Sequence, residues 1–275
     1  MQKIVIITGA SSGIGYATAR LLAQSGCTVY ALARRLEKMQ PLKQYGVYPI
    51  AADVTEQQQL ESAVNTVLQR NGRIDVLFNN AGYGSFGAIE DVPIAEAQSQ
   101  FGVNLFGLAR ITKLVLPQMR KQHSGLIINT SSMGGKMYSP LGGWYHATKY
   151  ALEGFSDCLR YEVQPFGIRV CIIEPGNIDS AWNPIMLQNV RRQSGKGAYA
   201  KQVDQLDHLM HHIGKYSPPQ VVAETVRRAV FAKHPKTRYL VGKNAKLFVF
   251  ARAALPDRLY DRALRLLSRG KQPMD

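Results

Sequence analysis

The sequence is poor in cysteine, in acidic residues and in long apolar runs. Only three cysteines occur among 275 residues, without the spacing of a metal site. This scarcity excludes a disulfide-rich secreted domain and argues against a zinc-binding fold. No stretch reaches the roughly 20 apolar residues that a membrane-spanning helix needs. The short apolar run 4–7 is unlike the core of a signal peptide, so we expect a cytoplasmic protein with reduced thiols.

Acidic residues number 19 against 34 lysines and arginines, and the formal net charge is +15. Thirteen of the basic residues lie between Arg227 and Lys271, where the only acids are Asp257 and Asp261. A basic surface of this kind serves nucleic acid, anionic lipid or an anionic cofactor, or is a solvated face without a partner. Because no nucleic-acid recognition motif accompanies the charge, we expect no nucleic-acid binding.

Short runs rich in valine and isoleucine alternate with longer segments of helical periodicity. Strands that are apolar on both faces are typical of a buried parallel sheet, and the alternation predicts right-handed βαβ units. We therefore predict an α/β fold: a doubly wound parallel sheet of Rossmann type with about seven strands and helices on both faces. The predicted strands are 4–7, 29–33, 47–51, 76–79, 126–130, 169–173 and 238–241, and the predicted helices are 14–24, 56–70, 101–121, 144–163 and 220–232.

The chain is predicted to form one catalytic domain over residues 1–242, followed by a basic amphipathic extension over 243–275. Residues 180–217 have a less regular pattern, which is typical of a substrate lid or binding loop. In the extension, the apolar run 246–255 ends at Pro256, and 258–269 has the pattern of an amphipathic basic helix. Such a segment lies in a membrane interface or docks on protein, so peripheral membrane contact is one hypothesis.

A glycine-rich turn, Thr8-Gly9-Ala-Ser-Ser-Gly13-Ile-Gly15, follows the first predicted strand and opens a helix. Glycine permits a tight turn and a close backbone approach to a diphosphate, and the helix N-terminus supplies free N–H groups. The spacing is G-x-x-x-G-x-G rather than G-x-G-x-x-G, and only its position makes it informative. The residues predicted to bind the phosphates of a dinucleotide are Gly9, Ser11, Ser12, Gly13, Ile14 and Gly15.

The end of the second predicted strand, Ala33-Arg34-Arg35, indicates which dinucleotide would bind. Ala33 stands where an acidic residue would bind the ribose hydroxyls of NAD. Two guanidinium groups, which suit a phosphate, follow it. We therefore predict NADP(H) rather than NAD(H); the alternative is that Arg34 and Arg35 are solvent-facing turn residues.

Further motifs follow in order: Asn79-Asn80-Ala81-Gly82 after the fourth predicted strand, Ser132 thirteen residues before Tyr145, Tyr145-x-x-x-Lys149, and Pro175-Gly176 after the sixth strand. With residues 8–15 and Asn104, this set resembles the short-chain dehydrogenase/reductase family over residues 8–180. The C-terminal part more loosely resembles the steroid- and retinol-type dehydrogenases and bacterial aldehyde reductases of that family. The resemblance implies an NADP-dependent oxidoreductase that reduces a ketone or aldehyde on a hydrophobic substrate, or oxidises the alcohol in the reverse direction.

The proposed chemistry centres on Tyr145 and Lys149, which are four residues apart and therefore share one face of a helix. A free phenol has a pKa of about 10, and a nearby ammonium is expected to lower the pKa of Tyr145. Tyr145 would donate a proton to the carbonyl oxygen, and Ser132 would hydrogen-bond that oxygen. Ser131 also follows the fifth predicted strand, but the thirteen-residue interval favours Ser132. By resemblance, Asn104 supports a water-mediated proton relay to Lys149, and its amide is expected to disturb a regular helix.

The resemblance also implies the remaining contacts. Asp53 and Val54 would contact adenine, whereas Lys149 would bind the nicotinamide ribose. The other implied cofactor contacts are Asn80, Ala81, Gly82, Pro175, Gly176, Ile178 and Ser180. Substrate contacts besides Ser132 and Tyr145 are expected at Tyr83, Trp182 and Met186, with Phe86 and Trp144 as further candidates, and ordinary core packing is the alternative for all five. His146 is expected to be a surface residue.

By resemblance, the two longest helices pair across subunits, so a homodimer or homotetramer is expected. Two alternative functions remain: a non-catalytic NADP(H)-binding regulator, and a nucleic-acid-binding protein driven by the basic tail. The joint presence of Ser132, Tyr145 and Lys149 disfavours the regulator, which needs none of them. No metal site is expected, because neither cysteines nor an HExxH pattern accompany the histidines at 208, 211 and 212.

Overall fold

The computed structural model describes residues 2–180, 182–212 and 216–268, apart from the side chains of His211 and His212. Its strands are β1 (Ile4–Thr8), β2 (Thr28–Ala33), β3 (Tyr48–Ala51), β4 (Val76–Asn79), β5 (Gly125–Thr130), β6 (Ile168–Pro175) and β7 (Arg238–Val241). They form one sheet in the order β3-β2-β1-β4-β5-β6-β7, and every neighbouring pair is parallel. The predicted doubly wound α/β fold is confirmed.

Helices cover both faces of the sheet. They are α1 (Gly13–Gln24), α2 (Gln57–Asn71), α3 (Ile94–Phe101), α4 (Leu108–Lys121), α5 (Gly143–Val163), α6 (Trp182–Ser194), α7 (Ala200–His212), α8 (Pro219–Phe231), α9 (Ala245–Ala254) and α10 (Asp257–Ser268). One apolar core lies between the sheet and α1 and α8, and a second lies between the sheet and α2, α4 and α5. Among the described residues, no helix is both long and apolar enough to cross a bilayer.

The first strand shows why the sheet is buried on both sides. Val5 and Ile7 belong to the core on the α1 face, whereas Ile4 and Ile6 belong to the core on the opposite face. Because successive side chains of a strand point to opposite faces, a strand that is apolar at every position requires cover on both sides.

The strand order reverses at β1, because β2 lies on one side of it and β4 on the other. Such a switch point opens a crevice at the carboxyl ends of the two diverging strands. The glycine-rich turn leaves β1 at this edge, and the segment Asn80-Ala81-Gly82 leaves β4 beside it. The fold therefore brings the two motifs together.

Two segments differ from the sequence-based expectation. Residues 182–212 of the segment expected to be irregular contain two helices, α6 and α7. Met186 and Val190, like Val203 and Leu206, lie one turn apart and bury one face of each helix. The predicted helix 101–121 is broken, because residues Gly102–Gly107 form a π-helical turn between α3 and α4. This turn contains Asn104, where a disturbance of the helix was expected, and π turns are frequent at functional sites.

Candidate active site

The glycine-rich turn is tied to the segment that follows β4. The hydroxyl of Thr8 accepts hydrogen bonds from the backbone N–H groups of Asn80 and Ala81 at 3.0 and 3.1 Å. The side-chain amide of Asn80 donates to the carbonyl oxygen of Gly9 at 3.2 Å. Asn80 and Ala81 therefore support the turn from behind.

Glycine is required at two positions of this turn for steric reasons. A Cβ on Gly9, whose φ is +67°, would lie 2.7 Å from the Cα of Ala81, and a Cβ on Gly15 would overlap the carbonyl oxygen of Gly9. By contrast, a Cβ on Gly13 would meet only the Cβ of Ser180, at 3.5 Å. The turn is thus packed tightly on its inner side and open on the side that faces Ser180.

Two arginines at the end of β2 flank the turn. Arg35 donates to the hydroxyl of Ser11 at 3.3 Å, and a guanidinium nitrogen of Arg34 lies 3.8 Å from a carboxylate oxygen of Asp53. The Asp53 carboxylate also accepts hydrogen bonds from the backbone N–H and the hydroxyl of Thr55, at 2.9 and 2.8 Å. Arg35 therefore places positive charge next to Ser11 of the turn, and Arg34 lies next to Asp53, which follows β3.

Tyr145 and Lys149 lie in the first two turns of α5, as their spacing predicts. The ammonium nitrogen of Lys149 is 5.9 Å from the centre of the Tyr145 ring and donates to the carbonyl oxygen of Thr130 at 2.9 Å. The phenol hydrogen-bonds with Ser132, whose hydroxyl also accepts from the N–H of Gly134 at 3.0 Å. Ser131, the alternative, is buried beside it, and its hydroxyl has no partner among the described residues.

The charge states of the pair differ from the simple expectation. Burial raises the pKa of Tyr145 to about 12, and the hydrogen bond from Ser132 offsets only part of that effect. Burial also lowers the pKa of Lys149 to about 8, against the opposing influence of the Glu153 carboxylate. The expected lowering of the Tyr145 pKa by Lys149 is therefore wrong for this arrangement, because burial dominates and the ammonium points to Thr130.

Comparison with known proteins identifies the family. The model of the family described as short chain dehydrogenase matches residues 3–191. A probable short-chain type dehydrogenase/reductase of Helicobacter pylori is 35% identical over 98% of this chain and 99% of its own. A 3-ketodihydrosphingosine reductase of Bacteroides thetaiotaomicron is 36% identical over 96% of this chain and 97% of its own. The crystal structure of a short-chain dehydrogenase from Streptomyces avermitilis superposes with a TM-score of 0.81 and 34% identity, covering 99% of this chain and 100% of the other.

The chain belongs to the short-chain dehydrogenase family. It is therefore an oxidoreductase of the kind that works with a nicotinamide dinucleotide. A metagenomic short-chain oxidoreductase of similar fold was solved in complex with NADP; it is 25% identical, with a TM-score of 0.69, and the match covers 87% of this chain and 96% of the other. A 3-ketoacyl-(acyl-carrier-protein) reductase from Brucella melitensis was solved in complex with NADH; it is 26% identical, with a TM-score of 0.70, and the match covers 83% of this chain and 90% of the other.

The residues of this short-chain dehydrogenase fit such a cofactor. The turn is open at Gly13, and the first turn of α1 carries no acidic side chain that would repel a diphosphate. The first N–H groups of a helix have no partner inside the helix and can bind the phosphate oxygens. The open side of the turn, the first N–H groups of α1 and the neighbouring Arg35 could therefore hold the anionic diphosphate of a dinucleotide.

The segment after β6 frames the other end of the crevice. A Cβ on Gly176 would clash with Ala245, so the backbone passes close to the start of α9 there. The carbonyl oxygen of Ile178 accepts from the side chain of Asn183 at 2.9 Å, which leaves this oxygen already engaged. The hydroxyl of Ser132 approaches the carbonyl oxygen of Pro175 at 3.5 Å.

Asn104 is buried in the π turn between the two motifs. Its amide oxygen accepts from the N–H of Tyr83 at 3.0 Å, and its amide nitrogen donates to the carbonyl of Tyr83 at 2.9 Å and to the hydroxyl of Thr148 at 3.1 Å. A Cβ on Gly82 would lie 3.1 Å from the Asn104 oxygen and 3.8 Å from the Lys149 nitrogen. Asn104 therefore holds the segment after β4 against α5, next to Lys149.

An apolar cluster covers the phenol. The ring of Trp182 lies 5.3 Å from that of Tyr145 and 5.8 Å from that of Phe86. Met186 is buried in the same cluster. The cluster also contains Ala88, Leu141, Val190, Val203 and Leu206. Residues of α6 and α7 thus form part of an apolar cover over Tyr145, and burial raises the pKa of this phenol.

Two of the candidate substrate contacts point elsewhere. The hydroxyl of Tyr83 is directed at the Glu96 carboxylate, 3.4 Å away on α3, because the Asn104 amide fixes its backbone. Trp144 packs in a groove with residues of α3 and the π turn, on the opposite side of the α5 start from Trp182. Neither Tyr83 nor Trp144 belongs to the apolar cluster around Tyr145.

His146 corrects the expectation of a surface residue, since it is buried. Its Nε2 accepts from the N–H of Ser139 at 3.0 Å, so its Nδ1 carries the proton that donates to the carbonyl of Gly134 at 2.8 Å. Burial lowers the pKa of His146 and favours the neutral ring. Ser139 and Gly134 belong to the loop that follows β5, so these two hydrogen bonds hold that loop against α5.

A buried charge cluster behind Lys149 was not found from the sequence. Glu153, one helical turn beyond Lys149, pairs with Lys136 at 3.1 Å and with Arg238 at 3.1 Å. Arg238 also lies 3.4 Å from Glu174. Burial, followed by the Glu153 carboxylate, raises the pKa of Glu174 to about 7. The cluster joins α5 to β6, to β7 and to the loop that carries Ser132; only the i, i+4 spacing of Glu153 from Lys149 could have suggested it.

Proposed function

We propose that this short-chain dehydrogenase catalyses the NADPH-dependent reduction of a ketone or aldehyde on a hydrophobic substrate, and the reverse oxidation of the alcohol. The observation that carries the proposal is the buried phenol of Tyr145, hydrogen-bonded to Ser132 and adjacent to Lys149 beneath an apolar cover. A binding protein without turnover would need none of these groups.

The bound nicotinamide supplies the hydride. The chain supplies the proton: with a pKa of about 12, Tyr145 is protonated at neutral pH and holds the form that donates to a carbonyl oxygen. Ser132, hydrogen-bonded to the phenol, stabilises the charge that develops on that oxygen. Lys149, whose ammonium donates to the carbonyl oxygen of Thr130 next to the phenol, binds the ribose of the nicotinamide and orients the cofactor toward Tyr145. Asn104 positions the backbone beside Lys149.

The preference for NADPH rests on the end of β2. Arg34 and Arg35 lie beside the phosphate-binding turn, and Ala33 offers no carboxylate for the ribose hydroxyls. A guanidinium pairs with a phosphate through charge-assisted hydrogen bonds. The similar metagenomic oxidoreductase determined with NADP agrees with this preference.

The substrate class rests on the apolar cover. Phe86, Trp182 and Met186 surround Tyr145 with hydrocarbon rather than with the polar groups that a sugar would need. The relative from Bacteroides thetaiotaomicron is named a reductase of 3-ketodihydrosphingosine, which carries a keto group on a long apolar chain. We therefore favour a keto or aldehyde group attached to a bulky apolar body.

The self-association of the chain is a further part of the proposal. Phe106, Tyr150 and Tyr161 lie exposed on the π turn and α5, where the family's long helices pair. We expect a homodimer or homotetramer, and light scattering on the purified chain measures it; a monomer at all concentrations contradicts it.

The variant Tyr145→Phe tests the central assignment. It removes the proton donor and keeps the ring, so turnover with NADPH should fall by about 10²-fold or more, while the dissociation constant for NADPH remains within about twofold. Oxidation of NADPH followed by absorbance, over a panel of apolar ketones and aldehydes, gives the rate. Undiminished turnover in this variant, or a wild type that binds NADPH and reduces no carbonyl, would overturn the enzymatic proposal.

A further inference from the structure

The last two helices present large apolar side chains to solvent. Leu247 and Phe250 of α9 are 65% and 72% exposed, and Leu259, Leu266 and Leu267 of α10 are each more than half exposed. Leu247 and Phe250 are three residues apart, and Leu259 and Leu266 are seven apart, so each pair shares one face of its helix. We call these five side chains the α9–α10 surface.

The side chains of the α9–α10 surface do not face the core of the domain, because the two helices contact the domain through other residues. Tyr260 and Leu264 pack against Met137. The hydroxyl of Tyr138 donates to the Asp261 carboxylate at 2.7 Å, and the hydroxyl of Tyr260 donates to the carbonyl of Tyr138 at 3.2 Å.

Arg252 completes this docking, with its guanidinium 5.3 and 5.6 Å from the centres of the Tyr138 and Tyr260 rings. The contacted residues Met137 and Tyr138 belong to the loop that follows Ser132. The α9–α10 surface is therefore held rigidly at the side of the loop that carries Ser132.

Basic side chains border the apolar ones. Arg258, Arg262 and Arg265 are exposed and follow one another at spacings of four and three, so they form one strip along α10. Lys246 is exposed on α9. The two acidic residues of the helices are engaged, because Asp257 pairs with Arg252 at 2.8 Å and Asp261 accepts from Tyr138.

We propose that the α9–α10 surface binds the surface of a bilayer that contains anionic phospholipid, with α10 lying in the plane of the interface. A helix with leucines on one side and arginines on the adjoining side buries the former among acyl chains and places the latter at the phosphates. A second copy of the chain suits this surface less well, because a symmetric contact would bring basic strips of the same sign together. The inference is independent of the substrate and does not rest on the proposed reaction.

Vesicle flotation with the full chain tests the proposal. Wild type should float with phosphatidylcholine vesicles that contain phosphatidylglycerol and much less with phosphatidylcholine alone, and salt should weaken binding. The pair Leu247→Ser and Phe250→Ser removes insertion, and the pair Arg262→Gln and Arg265→Gln removes charge. The arginine pair should lower the partition coefficient about 25-fold, since one basic residue near an anionic membrane contributes about a factor of five. The Leu247 and Phe250 pair should lower it at least about tenfold, because both side chains lose their burial among the acyl chains.

The matched controls lie outside the surface. Phe231→Ser removes an exposed apolar side chain at the end of α8, and the pair Lys233→Gln and Lys236→Gln removes two exposed charges of the segment that follows α8. Both should float as wild type does. The thermal midpoint of every variant should match wild type, because all substituted side chains are exposed. As a second measurement that keeps the surface apolar, Phe250→Trp should show a blue shift of emission on anionic vesicles only.

Several outcomes would overturn the proposal. A wild type that stays at the bottom of the gradient with anionic vesicles, or variant pairs that float like wild type, removes it. If Leu247→Ser with Phe250→Ser instead converts an oligomer into a smaller species in sedimentation velocity, and vesicles have no effect, then the surface joins copies of this chain and the lipid assignment is wrong.

Discussion

Replacement of Arg34 or Arg35, at the end of β2, should weaken the binding of NADPH and leave the binding of NADH nearly unchanged. Arg35 makes one hydrogen bond of 3.3 Å to Ser11, and Arg34 makes a 3.8 Å ion pair with Asp53 while its side chain is 76% exposed. Both groups are thus held near the phosphate-binding turn by weak contacts. A phosphate on the adenosine ribose would give each guanidinium a doubly charged acceptor.

The magnitude follows from these contacts. A hydrogen bond to a charged group contributes about 1.5–3 kcal/mol, and loss of an exposed ion pair such as Arg34–Asp53 costs about 0–1 kcal/mol. The net contribution of one arginine to NADPH binding is therefore about 1–2 kcal/mol, which corresponds to about 5- to 30-fold in Kd. NADH lacks the phosphate, so its Kd should change less than about twofold.

The assay compares Arg34→Ala and Arg35→Ala with wild type by calorimetric Kd and by kcat/KM for NADPH and NADH. Arg120→Ala is the matched control, because this arginine lies on α4 over the ring of Phe166 and away from the turn. An equal loss for both cofactors would mean that the arginines only support the turn. A wild type that prefers NADH would refute the reasoning altogether.

Three further predictions concern the turn, the cover and the charge cluster. Gly15→Ala should abolish measurable NADPH binding, because the new Cβ would overlap the carbonyl oxygen of Gly9 and lie 2.6 Å from the Asn80 amide nitrogen. The control Gly154→Ala has open space around it on α5, so it should keep NADPH binding and raise the free energy of unfolding by about 0.5–1 kcal/mol. Normal NADPH binding by Gly15→Ala contradicts the steric argument. Trp182→Ala should admit water to Tyr145 and move the pKa of this phenol from about 12 toward the ordinary value of about 10. Ultraviolet difference titration, with Tyr145→Phe in the same background as the reference, measures this pKa. An unchanged titration would show that Trp182 does not shield Tyr145 from water. Glu153→Gln should lower the pKa of Lys149 below about 8, since the Glu153 charge raises it, and so move the Lys149-dependent limb of the kcat–pH profile to lower pH. Asp157, whose partly exposed carboxylate pairs with Arg238 at 2.7 Å, gives the control Asp157→Asn, which should leave the limb in place; identical profiles for both variants would reject the coupling.

The sheet could be predicted because the pattern that indicates each strand lies within a few consecutive residues. Residues 4–7 are apolar at every position, and that pattern requires cover on both faces wherever the strand lies. Helices α6 and α7 were not predicted, because their apolar residues are few and are separated by polar stretches. Met186, Val190, Val203 and Leu206 form a stripe only when α6 and α7 pack on each other over Phe86 and Tyr145.

Part of the site could be predicted because it depends on residues that are close together in the sequence. Tyr145 and Lys149 share a helix face by their spacing alone. His146 was expected at the surface, and its burial could not be predicted because its partner Gly134 lies on another segment. The contact of Tyr83 with Glu96 also joins two separate segments, and the substrate contact expected of Tyr83 stays a prediction. Glu174 and Arg238 are 64 residues apart in the chain and meet only across β6 and β7.

The amino-acid sequence by itself determined the strands and the main helices around them, the glycine turn and the tyrosine–lysine spacing, because backbone sterics and helical periodicity act within a few residues. Tertiary structure alone decided the packing of α6 and α7 over Tyr145, the raised pKa of Tyr145 and the exposure of the leucines on α10. Those properties depend on burial and on charges contributed by distant segments, and burial is defined only once the chain has folded.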